Sequence, residues 1–531
     1  MLRRGLLAGA LVAVLAPSAP AAAATVQPPM RLPGAAVAAA TGSTWIVGAR
    51  PGAAARTLAA RFHARRAGPA GTGGYAVATG RAKAFAAALR TRGLLVYAQP
   101  NTRRAVFAVP DDPLSVSPDA WRRVVARRSL EPPVPTPASP LIALLDTQLD
   151  ASHPEFVRSN VATIQRYKVK SLHGTATASV AAAPVNGQGI VGVWPSARAL
   201  NIPFPHANEI TCDESANAIA EAIDRGAAVI NMSYGSDSYC YPEYVALQFA
   251  VARGIVPVAA AGNEGAGTNP LEYPASLPHV LTVAAVRPGG KPVGFSNANA
   301  AVDLAAPGVG IMAAVPVALD DEGADDGYMH LSGTSFSTPM VSAAVAWLRQ
   351  ARPQFTSGQV AQAIRLSARD AGPKGWDADT GFGVLSVGRA LQMAQPPKDT
   401  AEPNDDIIWV DGRAFGAPAP LMFRGSGRVW RRGLLDVFED PADVYRIRVN
   451  GHRHVLITAR PTGRRDDVAL RVFRRKATRI ASRSYSRSLH HGHRTERIVL
   501  RNRGRRPKTY YVSVTVQGAK LLDAIYALRV G

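Results

Sequence analysis

The sequence predicts an α/β protein built on a parallel sheet with helices on both faces, flanked by a small α+β unit and a β-sandwich. Three observations carry this. Residues 141 to about 390 alternate short, nearly continuous apolar strands with helical patterns, as a sheet buried on both faces requires. Ahead of them, 44–97 reads strand, helix, strand, helix, strand. Beyond a polar, proline-bearing stretch at 395–404, the apolar period changes to two.

Taken in order, the chain of 531 residues begins with an export signal over 1–24. Arg3 and Arg4 precede an apolar run over 6–16, and Ala22, Ala23 and Ala24 offer a small-residue cleavage site. The arginine pair hints at twin-arginine export and equally suits an ordinary signal. That run is too short to span a bilayer, and no other segment reaches about 18 uninterrupted apolar residues. A secreted, extracellular protein with no transmembrane span is the expectation.

In the α+β unit, strands are expected at 44–47, 74–78 and 94–97, and alanine-rich helices at 53–64 and 83–92. In the central region, 141–145, 190–193, 228–231, 255–258 and 280–283 read as strands. Residues 216–225 and 244–253 read as helices, and small and apolar residues continue a helix from Ser335 to Leu348. Asp146 and Ser233 then fall just past strand C-termini, where parallel sheets carry their sites. After the linker, Tyr445/Ile447/Val449, Val468/Leu470/Val472, Val512/Val514/Val516 and Tyr526/Leu528/Val530 alternate with polar residues, the pattern of an antiparallel sandwich.

Charge is unevenly spread. Residues 1–130 hold 18 Lys and Arg against 3 Asp and Glu, 131–400 hold 16 against 23, and 401–531 hold 27 against 12. A nucleic-acid or anionic-polymer partner would have to use the flanks, because the acidic centre repels phosphates. The two cysteines, Cys212 and Cys240, suggest a disulfide in an exported protein, contributing on the order of 3 kcal/mol. Two free buried thiols are the alternative, since sequence does not show their separation.

Three segments carry the chemistry. Asp146 closes the apolar run 141–145, His173 stands in the segment HGT, and Ser335 in LSGTSFSTP. A serine hydroxyl needs a neighbouring base, and the base needs a carboxylate to hold its tautomer. The order Asp, His, Ser is that of subtilisin. With these flanks the chain resembles the subtilisin-like (subtilase) serine proteases. The segments 273–275 (YPA), 295–297 (FSN) and 305–308 (AAPG) extend the resemblance over most of 110–390.

The resemblance implies a subtilisin-like parallel sheet, with Ser335 as nucleophile, His173 as base and then acid, and Asp146 as the orienting carboxylate. Asn263 in AAAGNEG matches the oxyanion residue. Ser233, Tyr234 and Gly235, with Ala260, Ala261 and Gly262, resemble the two segments that hold extended polypeptide substrate. The α+β unit resembles the family's inhibitory propeptide, with 96–101 as the strand that enters the active site and processing between Asn101 and Pro110. The segments EPND (402–405), DPADVY (440–445) and YYVSV (510–514) resemble the bacterial pre-peptidase C-terminal domain. The expected layout is signal 1–24, propeptide 25–104, catalytic domain 105–394, linker 395–404 and sandwich 405–531. The chemistry needs no cofactor. Structural calcium is common in the family, with no site assignable from spacing.

Departures concern packing and subsite shape. Gln148 stands where the family usually has glycine, Phe336-Ser337 replaces methionine-alanine, and no second histidine follows His173. The acidic run 320–326 and His490, His491 and His493 read as solvated loops before they read as metal sites. An α/β-hydrolase esterase is excluded, since it needs Gly-x-Ser-x-Gly and its serine first. A binding protein with a dead protease fold, attached through its basic sandwich to an anionic cell-surface polymer, conflicts with an intact triad and Asn263.

Overall fold

Residues 44–66, 74–100, 114, 121–126, 130–206, 209–265, 267–322, 326–399, 402–463, 466–517 and 523–531 are described by a computed structural model. The expected export signal over 1–24 and the expected processing segment between Asn101 and Pro110 lie outside them. The chain divides into two units, 1–108 and 109–531.

The first unit runs β1 (Thr44–Ala49), α1 (Ala53–Arg61), β2 (Arg65–Arg66), β3 (Gly74–Ala78), α2 (Thr79–Thr91) and β4 (Leu95–Pro100). Its four strands pair antiparallel in the order β2-β3-β1-β4. Apolar residues recur at helical spacing on both helices, so Ala55, Leu58 and Ala59, and Ala82, Phe85, Ala86 and Leu89, are buried. They close over Trp45, Val47 and Val77 in one cluster. The first helix is shorter than expected, because His63 takes a positive φ of 53° and turns the chain out of the helix.

The second unit continues with α3 (Arg122–Val125), β5 (Ile142–Asp146), β6 (Val161–Thr163), α4 (His173–Ala182), β7 (Ala199–Pro203), α5 (Cys212–Asp224) and β8 (Val229–Met232). Next come α6 (Tyr241–Ala252), β9 (Val256–Ala260), β10 (Leu281–Val286), β11 (Leu304–Pro307), β12 (Ile311–Ala314), β13 (Tyr328–Leu331), α7 (Thr334–Ala351), α8 (Ser357–Leu366) and α9 (Val387–Gln392). Seven strands form a parallel sheet in the order β11-β10-β9-β8-β5-β7-β6. Alternate residues of β5 point to opposite faces. Ile142 and Leu144 join the cluster containing α4 and α7, whereas Ala143 and Leu145 join that of α5 and α6. This two-sided burial is why the strands read as unbroken apolar runs.

One expected strand is absent. Residues 190–193 form no ladder, because Gly192 N–H donates to the Ala183 carbonyl and Val193 N–H to that of Val180. Their backbone is engaged by the end of α4, and β7 takes the place in the sheet. Gly192 permits this approach, since a Cβ there would lie 2.6 Å from Ala182 N.

The remainder comprises α10 (Ile407–Val410), β14 (Leu421–Phe423), β15 (Val429–Asp436), β16 (Ala442–Val449), β17 (His454–Pro461), β18 (Val468–Arg474), β19 (Ser486–Ser488), β20 (Glu496–Arg501), β21 (Lys508–Val516) and β22 (Asp523–Val530). Two sheets, β14-β16-β21-β18-β19 and β15-β22-β17-β20, bury Ile447, Val512 and Val514 with Ile457, Tyr526 and Leu528 in one cluster. Pairing is antiparallel except between β14 and β16. Among the described residues no helix is long and apolar enough to cross a membrane.

Candidate active site

The parallel sheet delivers its strand ends to one edge. Asp146 is the last residue of β5, Ser233 follows β8, and Ala260 ends β9. Asp146 is buried, and its carboxylate is held from three sides. Oδ1 accepts from Thr147 N–H at 2.7 Å and lies 2.7 Å from His173 Nδ1, while Oδ2 accepts from Thr177 Oγ1 at 2.8 Å. Thr177 is four residues beyond His173 on the same face of α4, a spacing visible in the sequence and not singled out there. His173 opens α4 because Gly174 lets the helix touch the strand end; a Cβ at Gly174 would lie 2.1 Å from Thr147 O. Burial lowers the imidazole pKa, but the Asp146 charge and hydrogen bond outweigh it, so the ring titrates above its ordinary value.

Ser335 lies in the first turn of α7. Its Oγ donates to the Ser233 carbonyl at 3.1 Å, and Ser233 Oγ donates to the Ser335 carbonyl at 2.9 Å. The ring of Phe336 lies 5.7 Å from that of His173, which brings the start of α7 beside the start of α4. Among the described residues no hydrogen bond joins His173 to Ser335. The hydroxyl is turned to Ser233, and rotation about χ1 is what would release it. Asn263 Oδ1 accepts from Thr334 N–H at 2.9 Å and Thr334 Oγ1 at 3.0 Å. Those two donors fix the amide orientation and leave its NH₂ as the donor end.

Gln148 and Ser337, two of the departures from the resemblance, each have a local task. Gln148 is buried, accepts from the N–H groups of Arg166 and Tyr167 and donates to Thr163, thereby shaping the chain ahead of His173. Ser337 Oγ donates to the carbonyls of Ala306 and Pro307, tying α7 to the end of β11.

A groove of about 580 Å³ runs from Asp146 and His173 to Ser233, Tyr234 and Gly235, with Phe204, His206 and Glu209 on its far side. Tyr234 forms a fixed wall. Its ring meets Phe204 edge-on at 5.3 Å, and its hydroxyl is 2.8 Å from Ser215 Oγ, which donates in turn to Glu243. Burial pushes the Glu243 carboxyl up to about 7. Cys212 and Cys240 form a disulfide with Cα atoms 5.7 Å apart, clamping the starts of α5 and α6 on which Ser215 and Glu243 ride. Ala260 ends β9 and Ala261 and Gly262 follow it, while Ser233, Tyr234 and Gly235 follow the neighbouring strand β8.

Two side-chain clusters have the composition of cation sites. His279, Glu402 and Asp405 converge, but His279 already supplies the positive charge, 3.1 Å from Asp405 and 3.3 Å from Glu402. Asp399, Asp440 and Asp443 place carboxylate oxygens within 4.8 Å of one another. Asp440 Oδ1 and the nearby Glu402 Oε1 and Asn404 Oδ1 are buried with no hydrogen-bond partner. An all-oxygen donor set of this kind fits Ca²⁺. His490 pairs with Glu496, and His491 lies 3.8 Å from Asp467, so the histidine turn is occupied by carboxylates. A second cavity, about 440 Å³, lies between α8 and the β15 end and holds none of Asp146, His173, Asn263 or Ser335.

The family model described as "Subtilase family" matches residues 138–383. The chain is 31% identical to fervidolysin of Fervidobacterium pennivorans over 320 residues, covering 54% of this chain and 46% of that protein. It is 32% identical to Subtilisin E of Bacillus subtilis (strain 168) over 259 residues, 47% of this chain and 65% of the relative. To subtilisin of Bacillus pumilus it is also 32% identical over 259 residues, and there the match spans 90% of the relative and 47% of this chain. The chain thus spans less than two thirds of the first two relatives.

Proposed function

This chain belongs to the subtilase family, and from that premise we propose that it is a secreted serine endopeptidase made as a self-processing zymogen. Family membership and the subtilisin and fervidolysin relatives support a serine-type endopeptidase. The single observation that carries the mechanism is the Asp146–His173 contact of 2.7 Å at the groove, with Ser335 immediately before Phe336, whose ring faces that of His173.

In this reading His173 Nδ1–H is held by Asp146, so Nε2 is the basic nitrogen. It takes the Ser335 proton as Oγ attacks the peptide carbonyl carbon. The carbonyl oxygen becomes an oxyanion facing the Asn263 NH₂ and the Ser335 N–H. The imidazolium then gives its proton to the leaving amine as the C–N bond breaks, and water repeats the sequence on the acyl-enzyme. Substrate lies extended between Ser233–Tyr234–Gly235 and Ala260–Ala261–Gly262. Residues 1–24 are the signal, 25–104 the propeptide that inhibits its own enzyme, 105–394 the catalytic domain and 405–531 a β-sandwich after the linker 395–404. An anionic polymer as partner of that sandwich has only its net charge behind it.

A fluorophosphonate should modify Ser335 in the wild type and fail to do so in His173→Ala. Equal labelling of both would remove His173 as the base.

Asn263→Ala should fold normally and lower kcat by about 10²–10³ with little change in KM, the size of loss measured for the equivalent donor in subtilisin itself. Steady-state kinetics decide it: an effect confined to KM would move Asn263 from the oxyanion site to ground-state binding.

We also propose that Asp399, Asp440 and Asp443 hold a structural calcium, since their oxygens converge within 4.8 Å and burial, then neighbouring carboxylates, push the Asp440 and Asp443 carboxyls well above their ordinary range. Chelation should lower Tm, and calcium should restore it; a Tm indifferent to both would dismiss the ion.

A further inference from the structure

The two backbone segments assigned to substrate are lined by carboxylates where their glycines stand. A Cβ on Gly235 would lie 2.9 Å from Glu272 Oε2. A Cβ on Gly262 would lie 2.4 Å from Asn297 Nδ2, 2.7 Å from Glu272 Cγ and 2.8 Å from Glu264 Oε2. Glu272 therefore occupies the space between the segments, reaching it from the chain just before Tyr273, whose backbone pairs with Ser236.

Glu272 is 6% exposed, yet no N–H, hydroxyl or cation of the described residues donates to its carboxylate. Its one side-chain partner is another carboxyl, Glu264, and the charges acting on it are those of Glu264 and Asp237, all negative. Burial first, and then these charges, push the Glu272 carboxyl up to about 7. A buried carboxyl whose charged neighbours are all carboxylates must either share a proton with them or meet a cation.

The position says which cation. Glu264 follows Asn263 in sequence, and Asn263 is bonded to Thr334, the neighbour of Ser335. A carbonyl carbon attacked by Ser335 Oγ, with its oxygen on Asn263, carries its own residue's side chain into the adjoining space between Gly235 and Gly262.

We propose that Glu272, supported by Glu264, makes this endopeptidase select arginine or lysine at the residue whose carbonyl is attacked. The proposal rests on the reading of the groove as a protease cleft and deepens it by naming the substrate side chain. A guanidinium entering the pocket pairs with both carboxylates and removes the repulsion between them.

The test uses the purified secreted enzyme and fluorogenic peptides that differ only in the residue before the scissile bond. Arginine and lysine should exceed leucine in kcat/KM by at least about 30-fold, the low end of what losing one member of a buried charge pair costs. Glu272→Gln should reduce the arginine-to-leucine ratio by a similar factor. Benzamidine, a small amidinium, should slow fluorophosphonate labelling of wild-type Ser335. Should Glu272→Gln fail to fold, the wild-type ratio and the benzamidine competition decide alone. Leucine or phenylalanine cleaved as well as arginine, or labelling unaffected by benzamidine, overturns the selectivity and leaves the protease standing. Absence of both cleavage and labelling overturns the protease reading instead.

Discussion

Ser335→Ala is expected to lower kcat by about 10⁶-fold, the loss found when the nucleophile of subtilisin itself is removed. If the proposed zymogen processes itself, the chain should accumulate without its signal and with the segment before Asn101 still attached. Folding should survive. The lost hydroxyl makes a single hydrogen bond, to the Ser233 carbonyl, worth about 0.5–1.5 kcal/mol net. Peptide turnover and the intact mass of the purified variant are the measurements. Residual activity within about tenfold of wild type would exclude Ser335 as nucleophile. Maturation of the pure variant without another protease would exclude self-processing.

The second large effect is on stability. Arg365 in α8 is 3% exposed and lies between two buried carboxylates. Its Nε is 3.1 Å from Asp303 and its terminal nitrogen is 2.8 Å from Asp436, while the guanidinium sits 5.0 Å over the Phe382 ring. Asp303 precedes β11 in the parallel sheet, and Asp436 ends β15 in the strand-rich remainder, so one guanidinium bridges the two. Burial drives the Asp303 carboxyl up to about 6 even with this partner, and Glu439 alongside is raised further by burial and by Asp303. Arg365→Ala strands these groups and should cost about 3–5 kcal/mol. Urea unfolding at pH 8, where the carboxyls are driven to ionise, measures it. Adding Asp303→Asn and Asp436→Asn should recover much of the loss. A single-variant cost below about 1 kcal/mol would mean the carboxyls take up protons and need no cation.

Much of this molecule was legible one segment at a time. The apolar runs of the parallel sheet and the period-two strands near the C-terminus follow from side-chain alternation, which is local, and Asp146, His173 and Ser335 announced themselves by their flanks. Strand β15 went unread because Arg431, Arg432 and Gly433 break its apolar pattern, and β17 and β20 because Leu456 and Val499, apolar but exposed, blur the alternation. Residues 190–193 were misread because an apolar tetrapeptide looks alike whether it enters a sheet or packs beneath a helix end.

What the sequence determined by itself was the parallel α/β core and which residues are candidates for the chemistry, since each depends on spacing within a few residues. Only the tertiary structure decided which groups meet across long separations. It turned Asn263 by two bonds from Thr334, put Thr177 on the second oxygen of Asp146, seated Arg365 between Asp303 and Asp436, and drove Glu272 between Gly235 and Gly262. Those contacts arise from how strands order and helices pack, and no periodicity along the chain encodes them. Burial then sets the charge of each carboxyl, because desolvation depends on everything packed around it.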